Sequence, residues 1–559
     1  MRFQAAVTAL ATASALATVL PSAPAHGAGP PSITWGVCPD VELTGLECGT
    51  IPVPLAHNKP TDRQIVLEVS RLKASGDPAA YLGPLVVNFG GPGGTGMDAG
   101  LYLAGVVPKE ILDRYDIIGF DPRGIGMSSP SLVCDPDPLR GAQPAYEPPD
   151  LRRIRGGERS RLEAVKAYVA QCGERNGDLL RHMRTTDVAR DIDLIRQALE
   201  APKLNYLGYS YGTYIGQVYA TLFPDHVGRF VLDGNVAPTG VGYEGDLGRP
   251  DAAKAFDRNV RRFFSWTAKY SGVYQLGSTE AEVAEHYYAT RNALAAHPVD
   301  GIGPAEWVGL FAAAVYVEAA WPLIAQVWAA FDQGQTKMLT DSLVFAAKEA
   351  DAAIAGSLAV ICSDGPWPAS YRRIRDVAAA TAKVAPFSTW ALFWYETVPC
   401  SRWPVHGKAA RVGSSDAAPI LFVNGTLDAP TQFPEALAAR RAFHRSVLLA
   451  ESGGADHAGS TFAKNACIDA IVNAYLLQGT LPQRKTGDGP DVSCARKPEP
   501  GLVEIATVAA MSSLLENLPP EVVALLPEVP ASYQNPAATL GEMLLAAWTN
   551  TRHFKSPAR

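Results

Sequence analysis

The segment Gly208-Tyr209-Ser210-Tyr211-Gly212 is a G-x-S-x-G set between an apolar strand-like run, Lys203 to Leu207, and a helix-like run carrying Thr213, Ile215, Gly216, Val218 and Ala220. A serine on such a strand-to-helix turn is pushed out at the carboxyl edge of a sheet. The helix behind it aims its positive end at a reacting carbonyl. A serine hydroxyl is a weak nucleophile, so it needs a base to take its proton and an acid to orient that base. In this strand-turn-helix context the chain order is serine, acid, histidine. Asp428 follows the strand-like run Pro419 to Asn424, and His457 lies in the glycine-rich loop Gly453 to Gly459, after the run Ser446 to Leu449. The rivals are less well placed. His444 and Asp416 precede their strands, Asp456 is too close in sequence to reach the far nitrogen of His457, and His406 is the other local rival. Ser210, Asp428 and His457 are therefore the expected nucleophile, acid and base.

Acyl transfer also needs donors for the oxyanion of the tetrahedral intermediate, normally the backbone N–H of the residue after the nucleophile and one from an earlier loop. Tyr211 is expected to supply the first. The second is expected from Gly90 to Gly94, with Gly91 or a neighbour favoured, because a backbone without side chains can approach the substrate closely. That loop lacks the Gly-Lys-Ser/Thr ending of a phosphate loop and the spacing of a dinucleotide fingerprint.

The elements that must position these groups are legible around them. Strand-like runs at Leu82 to Phe89, Tyr115 to Phe120, Lys203 to Leu207 and Arg229 to Leu232 are interleaved with helical spacing, as at Asp187 to Glu200, where Thr185 or Thr186 is placed to cap. Alternation of this kind implies a parallel sheet covered by helices on both faces. It stops near Val236, gives way to a mostly helical, aromatic-rich stretch, and resumes at Pro419. The expected organisation is a leader at 1–25, a first core segment at 30–236, a helical cap at 237–405, a second core segment at 406–499 and an extension at 500–559.

Across 559 residues, 47% are hydrophobic, 19% charged and 9% aromatic, which is the composition of a globular protein. Lys and Arg total 49 against 56 Asp and Glu, a formal charge of −7, and no basic run could follow a phosphate backbone, so nucleic acid is not an expected partner. Arg2, the apolar Ala5 to Leu20 and Ala23-Pro24-Ala25 read as a secretory signal, so the protein is expected to be secreted. Trp307 to Phe331 is broken by Glu318 and Pro322, which argues for a buried helical segment and against stable membrane insertion. All eight cysteines lie beyond the leader, and an even number in an exported chain favours disulfides. Eight cysteines allow 105 connectivities. The simplest joins sequence neighbours: Cys38 with Cys48, Cys134 with Cys172, Cys362 with Cys400, and Cys467 with Cys494. No Cys-x-x-Cys or His-x-x-x-His spacing points to a metal, and no cofactor is expected.

From Trp35 to Cys494 the chain resembles secreted actinobacterial-type α/β-hydrolase peptidases related to prolyl iminopeptidases, the tripeptidyl aminopeptidases with a TAP-like C-terminal region. The resemblance rests on Trp35-Gly36-Val37-Cys38, Val53-Pro54-Leu55, Asn88 to Gly96, Asp121-Pro122-Arg123-Gly124 and Gly208 to Thr213. It continues through Asp233-Gly234, Cys362-Ser363-Asp364, Cys400 with Trp403-Pro404, and Cys467 to Gly479. It implies an α/β-hydrolase fold with a mostly parallel central sheet and an inserted helical cap, the triad Ser210, Asp428 and His457, and a Cys467 to Cys494 bridge. Relatives often carry a cysteine pair in the cap after a Trp, whereas here Trp266 is followed by Thr267 and Val273-Tyr274.

The implied function is a serine hydrolase that removes short peptides from free N-termini through an acyl-enzyme. An esterase or lactonase using the same triad on a small ester is the alternative. An aminopeptidase must hold a free ammonium group, and a carboxylate in the cap is the physical means. Glu318 is the candidate anchor, with Asp364 behind it; the alternative for Glu318 is that it faces solvent or pairs with an arginine.

Overall fold

The computed structural model describes residues 31–135, 157–240, 250–407, 410–414 and 416–502. The expected leader and almost all of the 500–559 extension lie outside the described residues.

Ten strands form one sheet in the order β1 (Gly36–Val37), β2 (Glu47–Pro54), β3 (Gln64–Leu72), β5 (Asp116–Phe120), β4 (Pro84–Asn88), β6 (Leu204–Tyr209), β7 (Val227–Asp233), β8 (Ile420–Gly425), β9 (Val447–Ser452) and β10 (Val492–Ala495). The first three strands run antiparallel and β3 joins β5 antiparallel, after which every pairing is parallel. Every residue of β4, β6 and β8 is buried, as a parallel sheet covered on both faces requires. Alternation within these apolar runs divides the core. Tyr206, Phe230, Leu232, Phe422 and Leu448 pack on one face, and Leu207, Tyr209, Val231, Val423 and Leu449 on the other.

Between β7 and β8 the chain makes a long helical excursion with its own aromatic core. Trp307 to Phe331 resolves into the helices Pro304–Tyr316 and Trp321–Asp332, separated by extended backbone at Val317 and a single turn at Glu318–Ala320. No described helix is long and apolar enough to cross a membrane. Where a cap cysteine pair was absent from the sequence, Trp266 packs against Phe263, Tyr270, Tyr274 and Trp321 at ring separations of 4.9 to 6.2 Å. Aromatic packing joins these helices without a cross-link.

The four disulfides join Cys38 to Cys48, Cys134 to Cys172, Cys362 to Cys400 and Cys467 to Cys494, the sequence-neighbour pairing. One local expectation is corrected. The helix Thr185–Ala198 begins without a side-chain cap of its own. Its first N–H is instead taken by Asp364 Oδ1 at 2.9 Å, and the Thr185 hydroxyl donates to the same carboxylate at 2.5 Å. A buried carboxylate from the cap has displaced the local cap.

Candidate active site

Strand β6 ends at Tyr209 and a helix starts at Tyr211, leaving Ser210 alone on the turn at φ 52° and ψ −124°. A non-glycine residue in that region is strained, and the surroundings must hold it there. Ser210 N–H donates to Asp233 O at 2.9 Å, and the serine carbonyl accepts from Thr213 Oγ1 at 2.6 Å. The flanking glycines are required by space and not by backbone conformation. Neither has a positive φ. A Cβ at Gly212 would lie 2.4 Å from Asn88 O, and one at Gly208 would lie 2.7 Å from Gly212 O. Gly212 lets the elbow pack against β4, and Gly208 lets the start of the helix fold back onto β6, with no room for a side chain at either.

His457 Nε2 lies 2.7 Å from Ser210 Oγ, and His457 Nδ1 lies 3.0 and 3.1 Å from the two oxygens of Asp428. All three residues are at most 4% exposed. With the carboxylate on Nδ1, the hydrogen-bond network assigns the proton of a neutral imidazole to Nδ1, which leaves Nε2 as an acceptor facing the serine. Asp428 is held in turn by the N–H of Thr431 at 3.0 Å, its hydroxyl at 2.9 Å and the N–H of Ala458 at 3.1 Å. Thr431 was missed from the sequence, although an Asp followed three residues later by Thr is a recognisable local turn pattern.

The loop from Gly90 touches the elbow. A Cβ on Gly90, at φ +94°, would lie 2.5 Å from Tyr209 O and 2.6 Å from Tyr211 N, and Gly91 follows at φ +107°. Tyr211 itself is anchored through its side chain, whose hydroxyl donates to Asp364 Oδ2 at 2.6 Å.

Beside this centre lies an open cavity of about 410 Å³, lined mainly by apolar and aromatic side chains of the cap and of the helix Gly157–Asn176; Ser210, Asp428 and His457 are not in its wall, which comes nearest to them at Tyr316 and Pro430 and nears the glycine loop at Ser357. Tyr316 stands edge-on to the His457 ring with centroids 5.2 Å apart, and its carbonyl accepts the His457 N–H at 2.8 Å. The loop bearing Asp428 docks on the cap helix Pro250–Lys269, where Arg258 and Asn259 donate to Leu427 O at 2.5 and 2.9 Å.

The two expected substrate anchors are placed elsewhere, and neither lines this cavity. Glu318 is paired with Arg262 at 2.6 Å and Arg496 at 2.6 Å. Burial, together with the nearby Asp456 charge, pushes its carboxyl above the usual range, and the two arginines pull it back. Asp364 is committed to Thr185 and Tyr211. The acidic residues that do line the cavity are Asp135, Glu306 and Glu396, with Arg161 among them.

Residues 83–311 match the alpha/beta hydrolase fold family, and residues 385–494 match the family of TAP-like proteins. Over 464 residues the chain is 36% identical to a tripeptidyl aminopeptidase of Streptomyces lividans, covering 80% of this chain and 84% of that one. The chain belongs to the TAP-like family of α/β hydrolases. Within reach of the same family are the serine protease Hip1 of Mycobacterium tuberculosis, 29% identical over 80% of this chain and 89% of its own, and carboxylesterase B of the same organism, 29% identical over 81% and 89%.

Proposed function

We propose that the chain is a secreted serine peptidase that releases short peptides from free N-termini. Ser210 Oγ attacks the scissile carbonyl carbon as its proton passes to His457 Nε2, while Asp428 keeps the Nδ1–H oriented and stabilises the imidazolium. The backbone N–H groups of Tyr211 and Gly91 receive the developing oxyanion. Collapse of the intermediate breaks the C–N bond, and the leaving amine takes the proton from His457. Water then repeats the sequence on the acyl-enzyme. The observation that carries the reading is the 2.7 Å contact between His457 Nε2 and Ser210 Oγ on the strained elbow, with Asp428 on the other ring nitrogen. The names of the tripeptidyl aminopeptidase and Hip1 relatives favour a peptide substrate. Four disulfides favour an oxidising compartment, in keeping with secretion.

With Glu318 and Asp364 paired inside the protein, the ammonium anchor is better sought on the cavity wall. Glu306 accepts the N–H of Gly303 at the start of its own helix at 2.8 Å; of the carboxylates on that wall, Glu396 is the one we assign to the ammonium, on its place in an irregular turn of the lining. It is 7% exposed and sits on the wider turn Phe393–Thr397, a π-type irregularity of the kind frequent at functional sites.

Ester or lactone hydrolysis by the same residues is the second reading, favoured by the carboxylesterase B relative and the largely apolar cavity wall. Mass spectrometry of products from one peptide offered with a free and with an acetylated N-terminus separates the two, with Ser210→Ala as control. Cleavage of the free peptide alone supports the aminopeptidase. Turnover of simple esters with neither peptide cut supports the second reading.

A further inference from the structure

The loop carrying His457 is not self-supporting. Ala458, Phe462 and Lys464 have φ of 46°, 55° and 63°, a region that residues with a Cβ avoid unless their surroundings impose it. Three sets of contacts impose it here. From the sheet, Asp233 Oδ2 accepts the N–H groups of Ser460 and Thr461 at 3.0 and 2.7 Å, and Glu451 Oε2 accepts the Ser460 hydroxyl at 2.8 Å. From the cap, Tyr316 O accepts the His457 N–H at 2.8 Å, and Glu318 N–H donates to Asp456 Oδ1 at 2.8 Å.

The third set comes from the chain just past β10. Lys497 Nζ donates to Asp456 Oδ2 at 2.9 Å and to Gly459 O at 3.0 Å, so one ammonium group bridges the two sides of the histidine. The same short segment is fastened to the cap. Arg496 pairs with Glu318 at 2.6 Å, Glu499 pairs with Lys269 at 2.6 Å, and Pro500 O accepts the Trp266 indole N–H at 2.7 Å. Asp456 is the common node, with one oxygen on the cap backbone and the other on Lys497.

We propose that Lys497 is a positioning residue for His457, and that residues 496–500 form a clasp coupling the position of the cap to the placement of the histidine. A cap displaced from its seat takes the Tyr316 and Glu318 contacts away from the loop, and the clasp is the element that keeps cap and loop together. Lys497 touches neither the reacting atoms nor the cavity wall, so its effect is on where Nε2 stands. A shift of about 1 Å at a catalytic base is enough to slow the chemical step by about 100-fold. The inference rests on the reading of Ser210, Asp428 and His457 as the catalytic set.

The test uses the full chain with Lys497→Met, Lys497→Arg, Asp456→Asn and the Lys497→Met/Asp456→Asn pair. Each is measured for kcat and KM, for the rate at which a fluorophosphonate labels Ser210, and for Tm. Expected for Lys497→Met is a fall of about 10- to 100-fold in kcat and labelling rate with KM within about twofold of the parent, largely restored by arginine. Asp456→Asn reproduces the loss, and the double variant is little worse than either single one, because both remove the same interaction. A folded Lys497→Met with kcat and labelling rate within about twofold of the parent overturns the proposal, even if its Tm is lower. Should Lys497→Met not fold, Asp456→Asn is judged by the same criterion. Turnover retained by Ser210→Ala overturns the catalytic reading itself and is thereby distinguished from failure of the clasp.

Discussion

The hydroxyl of Tyr211 donates to Asp364 Oδ2 at 2.6 Å, joining the residue after the active-site serine to the last residue of the cap helix Lys337–Asp364. The elbow and the cap thus share a buried carboxylate. Burial pushes Asp364 above its ordinary value of 3.8, while bonds from Thr185 and Tyr211 pull it down. For a carboxyl raised in the folded state, the stabilising contribution is complete below the ordinary value and is lost as pH rises through the folded one. Tyr211→Phe removes a bond to this carboxylate. It is expected to cost about 1.5–3 kcal/mol of stability at pH values where Asp364 is ionised and less where it is protonated, because the Tyr211 bond favours the charged form. Denaturant titrations at several pH values check this, and a cost independent of pH would contradict the shared-carboxylate account.

Asp428→Asn leaves the size of the acid unchanged but presents an amide to Nδ1, which favours the wrong histidine tautomer. The expected loss in kcat is about 10⁴-fold. Thr431→Val removes the hydroxyl that fixes Asp428 and should act more gently, by about 10-fold, because the Thr431 and Ala458 N–H groups remain. Steady-state kinetics on one peptide give both values. The ordering is the discriminating result.

Gly212→Ala places a Cβ 2.4 Å from Asn88 O and 2.8 Å from Asn88 Oδ1. Asn88 is paired with Gly208 of β6 and its Oδ1 accepts the Gly90 N–H at 3.0 Å, so neither atom can move cheaply. A stability loss of about 1–3 kcal/mol is expected, with turnover falling because the Tyr211 N–H shifts with the helix. Urea melts measure the first effect. Conversely, stability within experimental error of the parent would mean that the elbow has slack the distances deny.

Glu396→Gln should raise KM for peptides with a free N-terminus by about 10- to 100-fold, the worth of a bond between charged groups. Acetylated peptides and neutral esters should be unaffected. An equal change for all three substrates would assign Glu396 to the wall of the cavity and not to amine recognition.

Asp491 supplies the acid-limb prediction. Burial alone would raise its carboxyl, but the hydrogen bonds from Arg440, with those from the Leu448 and Lys485 N–H groups, hold it below the ordinary 3.8. The stability it contributes is present above that value and is lost as pH falls through the lower folded value. Asp491→Asn should be clearly less stable than the parent near neutrality, with the gap closing below about pH 4. Thermal melts across that range reveal whether it closes.

The strands around the serine and the histidine were legible because a parallel strand is a short apolar run ended by a turn, and Ser210, Asp428 and His457 all follow such runs. Ser210, Asp428 and His457 could be found by their order after such runs. Glu318 and Asp364 could not be placed, since what decides a buried carboxylate's role is its partner. Those partners lie far off in sequence, at Arg496 for Glu318 and at Thr185 and Tyr211 for Asp364. The cap expected at Thr185 or Thr186 failed for the same reason, because a distant carboxylate competes for the same N–H. Lys497 lies beyond the last strand in a stretch with no periodicity, and nothing local marks it.

The helical excursion leaves the sheet after β7 and returns at β8, two strands paired in register from Phe230 with Ile420 to Asp233 with Val423. Because the two strands are parallel, the excursion starts at the carboxyl end of β7 and re-enters at the amino end of β8, so it spans the length of the paired segment and each end is held by the sheet. The departing end is locked again just beyond β7, where the Asn235 side chain and N–H donate to Val423 O and Asn424 Oδ1 of β8. Because the ends are fixed by the sheet, the length and content of what lies between them carry only a slowly growing closure entropy. The excursion is thus free to vary in length and content only outside the few residues, Tyr316 and Glu318 among them, on which the histidine loop leans.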